Sequence, residues 1–277
     1  FSLINMRKTI IHLSHTDINF DSRIQKEISS LTKTKLFNIF SLGISSNNIF
    51  SSKKINKFHK NYSVCLLTKK LRISRNIKYI FNLIEFSLYI IFYGLKIRPS
   101  LIHCHDTLAL LPATILKLIL GSKLIYDAHE LESNKNMQNI ILSKATFLIE
   151  KICWIHINIL ISVSDSIILW YKKKFGFKES ILILNSPTIS IFNSKSLDKN
   201  NLRKIFKINK NELIFIYVGD FCLGRGIDLL LDVFSKDNFK PHIVFLGNGF
   251  LEKKIKSFSI TNSNIHLHRK VPHNQVV

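Results

Sequence analysis

Three polar clusters stand where apolar runs end: His15 and Asp17 after "KTIIHLS", His103, His105 and Asp106 in "SLIHCHD", and Asp127, His129 and Glu130 in "KLIYDAHE". Carboxylates and imidazoles are costly to bury without partners, and ligands of open parallel sheets collect beyond the carboxyl ends of the strands. The clusters read either as one rim of a site or as solvent-facing loop residues. His103 and His105, two apart on a strand, point to one side, as zinc or iron ligation requires. Spacing fixes no fourth ligand in a chain with 11 histidines, so neither a metal nor another cofactor is expected.

A different chemistry is suggested by "YVGDFCLGRGID" at 217–228. A strand runs into a glycine-bearing loop and then a helix, so backbone N–H groups at the helix start, with Arg225 between Gly224 and Gly226, form an anion site. The alternative is an ordinary glycine turn carrying a solvated arginine. The loop lacks the lysine and hydroxyl residue of a Walker A motif, and it is not G-x-G-x-x-G. "FLGNGF" at 245–250, with Gly247 and Gly249, adds a second turn that allows close backbone approach.

The elements that position these groups alternate. "KTIIHLS" is a strand, "SRIQKEISSLTK" a helix with Ile24, Ile28 and Leu31 at helical spacing, and "KLFNIFSLG" a second strand. The polar "SSKKINKFHK" reads as a surface loop, and the apolar run 79–95 as a buried or interfacial helix, being short for a membrane span and interrupted by Asn82 and Glu85. Further strand–helix pairs follow to "ESILILNSP", and the pattern restarts at "ELIFIYVG". Strands alternating with helices predict doubly wound parallel sheets. The expected domains are 6–190 and 195–277, joined by a polar linker in "TISIFNSKSLDKNNLRK"; the second is read as the first half of a domain.

The formal net charge of +22 suits a nucleic-acid or anionic-membrane partner. The lysines are dispersed, however, and the crowding with Ile, Lys, Asn, Phe and Ser is that of A/T-rich codons. No aromatic-interleaved basic motif supports nucleic acid as the partner. Cys65, Cys104, Cys153 and Cys222 show neither disulfide nor metal spacing and fit reduced thiols in the cytoplasm. No secretory signal opens the chain, and Met6 is a candidate natural start.

In order, "LIHCHDTLALLPA", "KLIYDAHE", "ISVSDSI", "LNSP", "YVGDFCLGRGIDLLLDVF", "IVFLGNGFLEKKI" and "NIHLHRKVPHNQVV" make the chain resemble the GT-B glycosyltransferases of family 4, retaining enzymes that use nucleotide sugars. The opening "HLSHTDINFDSRIQKEISSL" also resembles one group of that family. The resemblance implies two Rossmann-like domains and transfer of a sugar from a nucleotide-diphosphate donor to a cell-envelope glycan or lipid-linked acceptor. His129 matches the histidine facing the donor sugar, and Arg225, flanked by Gly224 and Gly226, a residue holding the diphosphate. Gly247, Gly249 and the backbone at Val271 match segments lining the nucleoside. Asp106, Glu130 and Asp17 are candidates for acceptor contacts. His129 is expected to orient the sugar and stabilise charge, with no general-base role assigned.

The sequence departs from the family pattern at Asp220, where relatives carry an arginine, and in "SHTDINFD", which lacks paired glycines. The acidic E-x(7)-E element is expected beyond Val277, so the chain is read as a truncated and inactive fragment. A nucleotide-sugar 2-epimerase of the same architecture, or a non-catalytic basic protein binding nucleic acid or membrane, are the alternatives. The basic residues Lys53 to Lys78 beside the 79–95 helix predict peripheral association with the cytoplasmic face of an anionic membrane.

Overall fold

The structure, a computed structural model, describes residues 7–134, 140–186, 201–236 and 238–271. The chain divides into two compact units, Phe1–Asn185 and Ser186–Val277. Most of the expected linker, residues 188–200, lies outside the described residues.

The first unit contains β1 (Lys8–Ser14), α1 (Ser22–Thr34), β2 (Phe37–Ile44), β3 (Ser51–Lys54), β4 (His59–Val64), α2 (Arg75–Ile97), β5 (Leu101–His105), α3 (Leu110–Leu120), β6 (Lys123–Ala128), α4 (Ile140–Cys153), β7 (Ile159–Ser162), α5 (Asp165–Phe175) and β8 (Ser180–Leu182). Its sheet runs β3-β4-β2-β1-β5-β6-β7-β8, parallel throughout except for the β3–β4 pair. Asp21 starts α1 by accepting hydrogen bonds from the Arg23 and Ile24 amides, and Gly121, at φ 68°, ends α3 in the left-handed conformation that glycine adopts without strain.

The two faces of this sheet differ because side chains alternate along each strand. Ile11 and Leu13, Ile102 and Cys104, and Leu124 and Tyr126 point to one side and form the main core with Phe86, Ile90 and Tyr93 of α2 and Leu110, Ala113 and Leu116 of α3. The intervening His12, His103, His105 and Asp127 are on the opposite side. Parallel register pairs His12 with His103 and His105 with Asp127, so the polar residues of three strands adjoin.

Of the segment expected as a surface loop at 51–60, residues 51–54 form β3 and 59–60 open β4, while 55–58 are the turn that joins them. Its polarity is that of a strand whose second face is hydrogen-bonded rather than apolar: the Ser41 hydroxyl donates to Asn61 Oδ1 at 2.7 Å and lies 2.8 Å from His59 Nε2, while Tyr62 and Val64 enter the core. The apolar helix is also longer than 79–95. At 23 residues it is long and apolar enough by length and composition to cross a membrane. One stripe of α2 is nonetheless packed in the core, with Gly94 giving Leu116 room to approach, and the Glu85 carboxylate accepts from the Leu67 and Thr68 amides.

The second unit holds α6 (Asn201–Phe206), β9 (Ile214–Asp220), α7 (Ile227–Phe234), β10 (His242–Asn248), α8 (Glu252–Thr261) and β11 (Ile265–Arg269), with the parallel order β11-β10-β9. Phe221, Ile227, Leu231, Phe245, Leu251 and Ile255 form its core.

Candidate functional site

Asp127, at the end of β6, is fully buried and organises the carboxyl edge of the first sheet. Arg23, projecting from the first turn of α1, donates through Nε to Asp127 Oδ2 at 3.1 Å and through Nη2 to Oδ1 at 2.9 Å; its Nη1 donates to the Ile183 carbonyl. His129 Nε2 donates to Asp127 Oδ2 at 3.2 Å and lies 3.2 Å from His105 Nδ1. Burial alone would raise the Asp127 pKa, but hydrogen bonds from His105, His129 and Arg23 outweigh it and hold the carboxylate ionised.

His129 keeps 17% of its side chain exposed, so one edge of the ring is reachable. Burial opposes its protonation, yet the Asp127 hydrogen bond and the charges of Asp106 and Asp127 prevail and raise its pKa. Asp106 stands at φ 65°, a conformation uncommon for a residue with a side chain, and its Oδ1 lies 3.7 Å from His129 Nδ1 and its Oδ2 3.6 Å from His15 Nδ1. Two carboxylates thus flank one imidazole, which favours a cation that retains an open edge.

Deeper in the same cluster, burial holds the pKa of His12, His103 and His105 below the usual value, while burial and the Asp127 charge push Glu27 up to about 8. The fold therefore supplies, from α1 and β1, the further imidazole and carboxylate that chain spacing does not reveal.

The candidates fare differently. His129 and Asp106 come together. Glu130 turns to solvent. Asp17 uses its carboxylate to cap a helical turn, accepting from the Asn19 amide and side chain and from the Ser46 amide. In the second unit, Gly224 and Gly226 take φ values of 77° and 74° around exposed Arg225, at the start of α7. Gly247 and Gly249 have a packing reason to be glycine: a Cβ at Gly247 would stand 1.9 Å from the Gly219 carbonyl oxygen, and one at Gly249 2.7 Å from the Phe221 nitrogen. Val271 is half-buried just past β11.

Sequence reasoning missed Arg23, Glu27 and His12. Arg23 and Glu27 each precede an apolar residue of the α1 stripe, Ile24 and Ile28, and their i,i+4 spacing was the available signal that they share its inward edge.

These two units define a GT-B fold, and solved structures of that class match nearly the whole chain. The sucrose-phosphate synthase of Thermosynechococcus elongatus aligns with a TM-score of 0.75 at 14% identity, covering 97% of this chain and 72% of that one. Anabaena HepE in complex with UDP and glucose aligns with a TM-score of 0.66 at 11% identity, covering 96% and 70%. The lipopolysaccharide outer core galactosyltransferase WaaB, in its apo form, aligns with a TM-score of 0.57 at 12% identity, covering 95% and 68%. No protein-family model and no curated protein sequence matches the chain.

Proposed function

We propose that the full-length enzyme to which this chain belongs transfers a sugar, with retention of configuration, from a nucleotide-diphosphate donor to a cell-envelope glycan or lipid-linked acceptor. The observation that carries this reading is the partly open His129 held between Asp106 and Asp127 at the carboxyl edge of a Rossmann-like sheet. The likeness to structures containing UDP and UDP-glucose supports a nucleotide sugar as partner.

His129 orients the donor sugar, and its Nδ1–H, the Nε2–H being given to Asp127, stabilises charge that develops as the glycosidic bond to the diphosphate breaks. The leaving diphosphate takes up negative charge, for which the start of α7 and Arg225 supply N–H donors and a guanidinium. Asp106 and the exposed Glu130 are acceptor-side contacts. The transfer itself needs no redox cofactor.

A peripheral membrane setting fits the same reading. Ile77, Ile80, Phe81, Ile84 and Leu88 form an exposed stripe on α2, and exposed Lys69, Lys70, Arg72 and Arg75 stand at its amino end. A helix with apolar residues on both faces needs a second covering surface, and basic neighbours favour anionic lipid.

Calorimetric titration with UDP tests the donor assignment. The full-length enzyme is expected to bind, and Arg225→Ala to weaken binding by about 1.5–3 kcal/mol, the cost of a lost charged hydrogen bond. Equal affinity in both proteins removes Arg225 from the site.

A further inference from the structure

Beneath His129 the polar face of the sheet holds a second constellation, which the transfer chemistry does not use. His12 of β1, His103 and His105 of β5, and Glu27 of α1 each offer a ligand atom within 4.8 Å of every other. His12, His103 and His105 are 0%, 5% and 0% exposed.

Of the candidate ligand atoms, His103 Nε2 and both carboxylate oxygens of Glu27 are buried with no hydrogen bond, while His12 Nδ1 and His105 Nε2 are paired only with each other. Arg23 Nε approaches Glu27 Oε1 at 3.2 Å without hydrogen-bond geometry. A buried polar group without a hydrogen bond is costly, so a concentration of them in one spot calls for an occupant.

The donor chemistry identifies the occupant's class. Three borderline imidazole nitrogens and one harder carboxylate oxygen are a set that four-coordinate zinc, itself a borderline ion, takes. Donors about 2 Å from a tetrahedral metal are about 3.3 Å from one another. His12 Nδ1 and His105 Nε2 are 3.0 Å apart, and His103 Nε2 and Glu27 Oε2 3.7 Å, on either side of that value. The remaining nitrogen of His105, Nδ1, lies 3.4 Å from Asp127 Oδ2, the outer carboxylate contact that commonly orients a metal-bound histidine.

We propose that His12, Glu27, His103 and His105 form a closed, buried zinc site that fastens α1 to the two central strands. With four protein ligands it leaves no position for substrate, so its role is structural. It also fixes the ring of His105, against which His129 rests. The proposal does not depend on the transferase reading.

The test uses the whole chain, purified from zinc-supplemented medium, desalted and assayed for metal by atomic emission. It should retain about one zinc per chain, and cobalt replacing zinc should give the intense visible absorption of a tetrahedral site. Glu27→Gln and His103→Gln should each lower zinc affinity by roughly 10–100-fold or more. His266→Gln should not: it alters the separate His242–His266 pair, where Nδ1 and Nε2 lie 2.9 Å apart, and so controls for adventitious binding. If both site variants fail to fold, thermal unfolding of the stripped His266→Gln chain decides, because zinc bound to the folded state must raise its midpoint. Zinc absent from the purified chain, zinc retained by Glu27→Gln and His103→Gln, or an unchanged midpoint overturns the site.

Discussion

Asp127 and Arg23 lie 104 positions apart in sequence and are joined by two parallel hydrogen bonds of 3.1 and 2.9 Å. The planar guanidinium matches the carboxylate edge to edge, so the pair is both an electrostatic and a geometric link between α1 and β6. Because the same carboxylate receives His129, the helix position reaches the candidate sugar-facing residue through a single intermediary.

Arg23→Ala should therefore destabilise the chain by about 3 kcal/mol, the lower end of the cost of removing one partner of a buried ion pair, because His105 and His129 still donate to Asp127. Urea denaturation of wild type and variant measures it. A loss below about 1 kcal/mol, typical of an exposed pair, contradicts the buried role.

A second buried carboxyl makes stability depend on pH. Glu150 Oε1 accepts from the hydroxyls of Tyr171, Tyr126 and Thr107 at 2.5, 2.8 and 3.2 Å. Burial nevertheless dominates and pushes its pKa from 4.5 up to about 7. A raised carboxyl pKa means the folded state holds the proton longer than the unfolded one, so stability falls as pH rises from about 4.5 to about 7 and then levels. Glu150→Gln cannot titrate. It should gain on wild type by roughly 3 kcal/mol between pH 4.5 and 8. Parallel stability curves for the two proteins would contradict this.

Much of this arrangement was legible in the chain. Strand-end polar clusters in an alternating strand–helix pattern located Asp106, Asp127 and His129, because a parallel sheet must gather its carboxyl ends on one edge. Period-two alternation also separated His103 and His105 from Ile102 and Cys104. The partners of Asp127 were not legible: Arg23 and Glu27 look like an exposed ion pair on an amphipathic helix until the sheet covers them. For β4 the difficulty was the reverse, since a strand whose polar face is satisfied by Ser41 lacks the apolar contrast that marks strands. The glycines of "FLGNGF" fit ligand approach in the sequence, whereas Gly247 and Gly249 first of all let β10 pass the β9 backbone.

The outer stripe of α2 predicts lipid binding. Sedimentation of the chain with phosphatidylcholine vesicles should rise as anionic lipid is added and fall with salt, each basic residue near the surface contributing about 1 kcal/mol. Ile84→Glu with Leu88→Glu should abolish it, as both side chains are more than half exposed, at 52% and 65%, and lie outside the core. No sedimentation at low salt, or sedimentation unaffected by the double variant, contradicts membrane docking through this face.

Donor turnover by the full-length enzyme with and without His129→Ala, measured alongside donor affinity, tests most directly whether His129 serves sugar transfer. A residue that orients the sugar and stabilises developing charge acts mainly in the transition state. Release of nucleotide diphosphate from the sugar donor should fall by about 10²–10³-fold in His129→Ala, while donor affinity changes by less than about threefold. Equal rates in the two proteins, whether measurable or at background, or a variant that loses affinity alone, would contradict the assignment.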